Sequence, residues 1–156
     1  MCDKLSGFKY GTFGLKETWV YDFLLKGQVY LKDNTLGPKQ LDAFIYYLRD
    51  CELIDKKNNL TELFPIIKDI YQKESINSKF LWEILWINLC FNSSLFKWWS
   101  CIYPKTYSRN DMVKMMTQAY GKSNRYLING YLALAGTLEN TPIGTELKQG
   151  IIKKDG

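Results

Sequence analysis

The sequence predicts a mainly α-helical protein, with two helix-turn-helix or winged-helix-like units packed around a central aromatic helical hairpin and short β wings. Three observations lead to this fold class. The chain divides into short amphipathic helices separated by Gly, Pro and capping residues. Its most apolar stretch, 80–102, lies between two segments with a similar order of elements. With 156 residues, 46% apolar and 15% aromatic, the chain is long enough for one compact core.

The first part of the chain is an arm followed by two helices. Glycines alternate with aromatic residues up to residue 15, which predicts an irregular or extended arm anchored by its rings. Apolar residues at helical spacing predict a helix over 16–26, ended by Gly27. Pro38 occupies the favoured first position of a second helix, which we expect to stop near Asp50.

A short wing is predicted after the second helix. The order is apolar at 53–54, polar over 56–59 and apolar again at Leu60, which is typical of a two-stranded hairpin. Thr61 follows and is expected to cap a helix that reaches about Lys73.

The apolar stretch 80–102 is expected to lie in the core. Its longest uncharged run, from Ile84 to Phe96, is shorter than the ~20 residues of a membrane span, so no membrane partner is expected. The stretch predicts one buried helix, or two helices broken near residues 92–94.

The C-terminal part is predicted to form another pair of helices. Ser108 and Asp111 have the spacing of a capping box, and their helix is expected to run to Tyr120. Ser123 is expected to cap a further helix that reaches about Leu134.

An internal repeat relates the two parts. When the chain is shifted by 84 residues, Thr61-Glu62-Leu63 falls on Thr145-Glu146-Leu147 and the predicted elements align, although any two helical hairpins share some of this likeness. The expected organisation is one globule with four parts: an aromatic and glycine-rich arm over 1–15, a first winged-helix-like unit over 16–75, central core helices over 76–104 and a second helix-turn-helix-like unit over 105–156.

The charge pattern suggests nucleic-acid contacts at the starts of repeated helices. The net charge of +5 is mildly basic and does not decide the function. In a helix-turn-helix, the first residues of the second helix meet base edges, and basic residues of a wing meet phosphates. The same polar residues also suit capping and solvation, and winged helices serve as protein–protein modules too. The candidate nucleic-acid-binding residues are Lys39, Gln40, Lys56, Lys57, Arg109, Lys114, Lys122, Asn124 and Arg125.

Enzyme chemistry finds little support in the sequence. The chain has no histidine, which removes His general bases and Ser-His or Cys-His nucleophile pairs. Lys122 and its neighbours echo the end of a P-loop, but the upstream glycine spacing is wrong. Glu83 on the core helix is the oddest carboxylate: burial would raise its pKa, as at some functional sites, although a partner such as Lys97 or Arg49 would explain it more simply. Trp82 and Trp86 would line a ligand pocket with it or simply pack in the core.

The cysteines predict neither a metal site nor a cofactor. Cys2, Cys51, Cys90 and Cys101 include no pair at the spacing of a zinc motif. Because residues 1–15 contain no apolar signal segment, we expect a cytoplasmic location with reduced thiols.

The order of these landmarks resembles a known family. The residues that carry the resemblance are Tyr10-Gly11-Thr12-Phe13-Gly14, the Trp19 helix with Lys26-Gly27, Leu36-Gly37, the wing, Trp82-Glu83-Ile84-Leu85-Trp86, Phe96-Lys97-Trp98-Trp99 and Asn140-Thr141-Pro142-Ile143-Gly144. On these residues, the chain is similar to an uncharacterised helical domain of bacteria that is associated with phosphoadenosine-phosphosulfate-reductase-like proteins and with DNA phosphorothioation systems.

The resemblance implies an accessory or regulatory module that acts beside a sulfur or nucleotide enzyme, or on its DNA. The nucleotide-binding loop and cysteines of the reductase itself are absent, so no reductase activity is implied. We therefore expect a non-enzymatic binding module, with DNA or a reductase-like protein as its partner. A docking domain without DNA contact is the first alternative, and a small-molecule enzyme that uses a buried carboxylate is the second.

Overall fold

The computed structural model describes residues 5, 7–74, 79–102, 106–121 and 125–153. Over these residues the chain is mainly helical, as the sequence predicts, and it also carries a small sheet of two strands. The helices are α1 (Glu17–Lys26), α2 (Pro38–Asp50), α3 (Leu63–Lys73), α4 (Lys79–Asn92), α5 (Ser94–Ser100), α6 (Arg109–Tyr120), α7 (Tyr126–Asn140) and α8 (Pro142–Thr145), with a 3-10 turn over Gly27–Leu31, and the strands are β1 (Thr106–Ser108) and β2 (Ile151–Lys153).

The first two helices lie where the sequence places them. Gly27 ends α1 with φ 68°, a left-handed conformation that glycine adopts without steric cost. Pro38 begins α2, and the side chain of Gln40 accepts a hydrogen bond from the backbone N–H of Gly37 at 3.2 Å. This bond caps α2 and fixes Gln40 at the helix start.

A short hairpin follows α2, as predicted, and consists of a single antiparallel bridge between Ile54 and Leu60. Its turn is held by Asp55, whose carboxylate accepts hydrogen bonds from the backbone N–H groups of Lys57 (2.8 Å) and Asn59 (2.9 Å). These bonds and the nearby Lys57 charge lower the pKa of the Asp55 carboxyl, because they favour its ionised form.

The predicted cap of α3 is wrong. The hydroxyl of Thr61 donates to the backbone carbonyl of Glu52 and so joins the two ends of the hairpin. Helix α3 begins at Leu63, and Glu62 precedes it without a side-chain cap bond. The helix end Lys73 is as predicted, because helical spacing places Phe64 and Ile67 in the core whatever begins the helix.

The apolar stretch forms two helices rather than one. Ser93 takes an extended conformation, with φ −111° and ψ 122°, and so separates α4 from α5. Helix α4 contacts α2, α3, α5 and α8, which makes it the central element of the core. Edge-to-face ring pairs such as Trp86 with Phe96, whose centroids are 5.9 Å apart, fill the space around it.

The C-terminal helices are capped and ended by local chemistry. The hydroxyl of Ser108 accepts a hydrogen bond from the backbone N–H of Asp111 at 3.2 Å, so the predicted cap of α6 is confirmed. The predicted cap of α7, Ser123, lies outside the described residues. Helix α7 continues past the predicted end at Leu134 to Asn140, because Thr137 and Leu138 are also buried on its inner face.

The second wing is absent from the segment where the repeat predicts it. Residues 137–145 align with the first hairpin, yet they form the end of α7 and the short helix α8. The sheet instead pairs β1 with β2 in parallel, with Thr106 opposite Ile151 and Ser108 opposite Lys153. The two halves therefore share a pair of helices but not the elements that follow them.

Candidate binding cleft

A cleft of about 860 Å³ opens between the N-terminal arm, α7 and β2. The arm supplies Phe13 and Gly14, α7 supplies Leu132 and Gly136, and β2 supplies Ile151 among the lining residues. Its volume falls in the ordinary range of ligand sites, roughly 300–1,000 Å³. Three distant parts of the sequence thus meet at one concave surface.

Two glycines hold the arm directly against α7. A Cβ atom added at Gly14 would lie 2.4 Å from the backbone nitrogen of Thr137, and one added at Gly136 would lie 3.1 Å from the Cα of Gly14. Contacts this close allow no side chain at Gly14. The wall of the cleft therefore depends on backbone packing between segments 122 residues apart in sequence.

Hydrogen bonds to buried Thr137 fix the same junction. The backbone N–H of Leu15 donates to the Thr137 hydroxyl at 2.9 Å, and that hydroxyl donates to the Ala133 carbonyl at 2.8 Å. The Tyr47 hydroxyl donates to the Phe13 carbonyl at 2.8 Å. Each polar group at this buried seam has a partner, as a stable junction requires.

A second anchor holds the arm at its other end. The Tyr10 ring stacks on Tyr47 with centroids 3.9 Å apart, and the Tyr10 hydroxyl donates to the buried carboxylate of Asp50. Lys9 pairs with the same carboxylate at 2.7 Å. Burial, with the negative charge of Asp50 second, raises the pKa of Tyr10 well above its usual value, so the phenol stays protonated at neutral pH.

Three basic side chains line the cleft. Lys16 lies between the arm and α1, Arg109 is in the first turn of α6 and Lys148 is in the segment before β2, and all three are exposed. The Arg109 guanidinium lies over the Tyr131 ring at 5.6 Å, which restrains it at the rim. Glu139 is the single acidic side chain among the described lining residues, so this surface carries a net positive charge.

The predicted nucleic-acid-binding residues of α2 lie away from this cleft. Lys39 is exposed at the start of α2, where Gln40 serves as the cap described above. Lys56 and Lys57 are exposed at the turn of the hairpin, beyond the other end of α2. Lys56 lines a cavity of about 660 Å³ with Arg49, and Lys57 lines a different one of about 540 Å³.

The C-terminal predicted residues are also dispersed. Arg109 lines the cleft, whereas Lys114 is exposed further along α6 and is not among the described lining residues. Arg125 is exposed beside the Tyr126 ring, at the opposite end of α7 from Glu139. Lys122 and Asn124 lie outside the described residues. Sequence spacing therefore found one residue of the cleft, Arg109, and missed Lys16 and Lys148.

The structure brings together two of the three residues expected to line a ligand pocket, Glu83 and Trp86. Trp82 is fully buried and its ring N–H donates to the Tyr21 hydroxyl at 3.0 Å, so it belongs to the core. Glu83 is exposed on α4, so the buried carboxylate that an enzyme site would need is not formed there. Trp86 and Glu83 share a small surface cavity of about 330 Å³ with Lys79.

The cysteines differ in state. Cys51 is free and buried, and burial raises the pKa of its thiol well above the usual value. Cys90 is half-buried. Cys101 is disulfide-bonded, so the expectation that the thiols are reduced is wrong for this residue. The described residues hold no group of three acidic or Cys side chains placed to bind a metal ion.

Comparison with known proteins adds no relative to this description. The chain matches no protein-family model, no curated protein and no solved structure. Within the described ranges, each helix is too short or too polar to cross a membrane. The function must therefore be argued from the cleft itself.

Proposed function

We propose that the chain is a non-enzymatic binding module that docks an anionic macromolecule in the cleft between the arm, α7 and β2. The observation that carries this proposal is the convergence of Lys16, Arg109 and Lys148 on one concave surface with a single carboxylate, Glu139, among its described lining residues. Opposite charge at such a surface raises both the association rate and the specificity of binding.

The enzyme alternative is weaker, because its catalytic group does not have the required environment. That hypothesis needs Glu83 in a deep cavity with its charge perturbed by burial. Glu83 is exposed on α4 instead. The arm–α7 cleft offers Glu139 as a carboxylate, but this side chain is exposed as well.

A protein partner with acidic residues is the occupant that the cleft favours. Leu132 and Ile151 line the cleft and expose 39% and 57% of their surface. Apolar side chains of a protein would cover them, whereas a phosphate backbone would leave them in water. The resemblance to a domain that accompanies phosphoadenosine-phosphosulfate-reductase-like proteins agrees with such an accessory role, and it stays a proposal.

DNA is the second candidate occupant. Arg109, which the sequence predicts as a DNA-binding residue, lies in the cleft, and the hairpin after α2 supports the winged-helix-like interpretation of residues 16–75. Neutralising three phosphates would make the logarithm of affinity fall with the logarithm of salt concentration by about 0.9 per phosphate. The dispersion of Lys39, Lys56 and Lys114 weakens this candidate.

The test uses two triple variants of equal charge. The cleft variant carries Lys16→Ala, Arg109→Ala and Lys148→Ala, and the control variant carries three Ala substitutions at exposed lysines outside the cleft. The control positions are Lys39, Lys56 and Lys114.

Two probes are applied to both variants and to the native chain. The first is a random 16-residue peptide display library, and the second is a fluorescently labelled 20-base-pair duplex titrated at 50 and 200 mM salt. We expect acidic peptides to be enriched by the native chain and the control variant but not by the cleft variant. The proposal would be overturned if the cleft variant enriched acidic peptides as strongly as the native chain does. It would also be overturned if neither probe bound.

The DNA outcome has its own signature. Duplex binding whose salt slope falls by roughly 2.7 in the cleft variant, without enrichment of acidic peptides, would assign the cleft to DNA instead. A loss confined to the control variant would restore the sequence-predicted residues as the DNA site.

A further inference from the structure

The strand β2 forms one side of the cleft and is an edge strand within the described residues. Its three residues pair with β1 alone there, so the opposite edge of β2 has no strand partner in the described part of the chain. An edge strand presents backbone N–H and C=O groups at a spacing that another extended chain can match.

The side chains of β2 alternate between the two faces of the strand. Ile151 and Lys153 are exposed, whereas Ile152 is half-buried against the core. Ile151 and Ile152 both line the cleft, so the edge strand and the cleft are continuous.

The positive charges lie beside this edge. Lys148 is three residues before Ile151, and Lys153 is the last residue of the strand. Arg109, which also lines the cleft, follows the paired strand β1. An extended chain along β2 would therefore run past basic side chains at both ends of the strand.

We propose that β2 accepts a third strand, an extended segment of a partner protein in which acidic residues alternate with apolar ones. Side chains of successive residues in a strand point to opposite faces, so such a segment presents an apolar face and an acidic face. The apolar face covers Ile151 and Leu132, and the acidic face meets Lys148, Arg109 and Lys16. Backbone hydrogen bonds supply affinity, and the two faces supply specificity. This inference rests on the proposed docking of an anionic partner in the cleft.

The alternatives predict different periodicities. A bound helix would present apolar residues at spacings of three and four and would leave the edge of β2 unpaired. A bound strand presents them at a spacing of two and takes hydrogen bonds along one of its edges only. Blocking alternate N–H groups of a peptide therefore separates the two modes.

The experiment uses the most enriched acidic peptide from the display selection and two N-methylated versions of it. One version carries N-methyl groups at two odd-numbered central positions and the other at two even-numbered central positions. Binding to the full chain is measured by fluorescence anisotropy. We expect one version to lose at least tenfold in affinity and the other to change by less than threefold.

Substitutions in the chain give a second readout. Ile151→Ala is compared with Ile66→Ala, since Ile66 on α3 is similarly exposed, at 55% against 57%, and lies outside the cleft. We expect a loss of roughly five- to tenfold with Ile151→Ala and none with Ile66→Ala. In the bound state, amide hydrogen exchange over 151–153 is expected to slow at least fivefold.

The failures of the two proposals are distinguishable. If both N-methylated peptides lose affinity equally and exchange over 151–153 is unchanged, strand addition is wrong, while docking at the cleft stands through its dependence on Lys16, Arg109 and Lys148. If acidic peptides bind the cleft variant and the control variant with equal affinity, both proposals are wrong. Binding of the duplex alone would make DNA the occupant and overturn strand addition.

Discussion

Substitution of Gly14 by alanine tests the junction that forms the cleft. The new Cβ would lie 2.4 Å from the Thr137 backbone nitrogen, so the arm must move out by at least about 0.6 Å to reach 3.0 Å. The φ of Gly14 is outside the left-handed region, so the cost arises from this contact and not from backbone strain.

The expected cost follows from the packing and from one hydrogen bond. Overpacking costs about 1–3 kcal/mol, and the same displacement would stretch the 2.9 Å bond from the Leu15 N–H to the Thr137 hydroxyl, worth about 0.5–1.5 kcal/mol. Alanine also has less conformational freedom than glycine in the unfolded chain, which stabilises the folded state by about 0.4–1 kcal/mol and offsets part of this cost. The midpoints of these three ranges sum to about 2 kcal/mol, so we expect a loss of about 1–3 kcal/mol in the free energy of unfolding.

The assay is thermal and urea unfolding followed by circular dichroism at pH 7. For a chain of this length, a loss of about 1–3 kcal/mol lowers Tm by roughly 3–10 °C. Gly136→Ala is the matched control, because its Cβ would lie 3.1 Å from Gly14 and alanine favours the interior of α7 by about 1 kcal/mol. We expect the control to change the free energy of unfolding by less than about 1 kcal/mol.

One pattern of results would refute this reasoning. If Gly14→Ala unfolds at the native Tm, or if Gly136→Ala is the more damaging substitution, the arm does not pack on α7 as described. Peptide binding by Gly14→Ala connects this junction to the proposed function. Because the arm forms one wall of the cleft, a displaced arm is expected to weaken peptide binding while leaving the far side of the molecule unchanged.

Three further predictions concern the core and its buried ionisable groups. Asp50→Ala removes the carboxylate acceptor of the Tyr10 hydroxyl and is expected to cost about 1–3 kcal/mol in urea unfolding, whereas a cost below 0.5 kcal/mol would mean that this anchor is dispensable. Burial raises the pKa values of Tyr10 and Tyr47 in the folded state, so their contribution to stability is complete below pH ~10 and is lost as the pH rises further. Urea unfolding measured from pH 8 to 11 should show this fall in the free energy of unfolding. A flat profile would contradict it. Leu85→Ala on the buried face of α4 is expected to cost about 2–5 kcal/mol and Ile87→Ala on its exposed face less than about 0.5 kcal/mol, and equal effects would contradict the orientation of α4.

Much of the local structure was predictable because it depends on residues close in sequence. Pro38, Gly27 and the Ser108–Asp111 pair act through backbone geometry and hydrogen bonds within one turn, so the limits of α1, α2 and α6 agree with prediction. Thr61 shows where this reasoning stops. Its hydroxyl could serve a helix N-terminus or a nearby carbonyl, and the hairpin geometry selects the carbonyl of Glu52.

The internal repeat predicts a second wing over 137–145 that the chain does not form there, for a similar reason. The segment Thr145-Glu146-Leu147 is identical in sequence to Thr61-Glu62-Leu63. Its surroundings differ, because Pro142 begins α8 and Gly144 lies close to the Leu138 carbonyl, and the chain then continues into β2. The parallel sheet joins residues about 45 positions apart, and no local pattern specifies such a pairing.

The sequence by itself determined a helical, aromatic-cored chain and the positions of most helices, and its lack of histidine excluded histidine-dependent chemistry within this chain. Only the tertiary structure decided which residues form the cleft at which we propose that a partner docks. Lys16, Arg109 and Lys148 are separated by 93 and 39 residues and share no motif. They meet because Gly14 lets the arm approach α7 and because β2 returns to pair with β1, and both contacts depend on close packing across the whole chain.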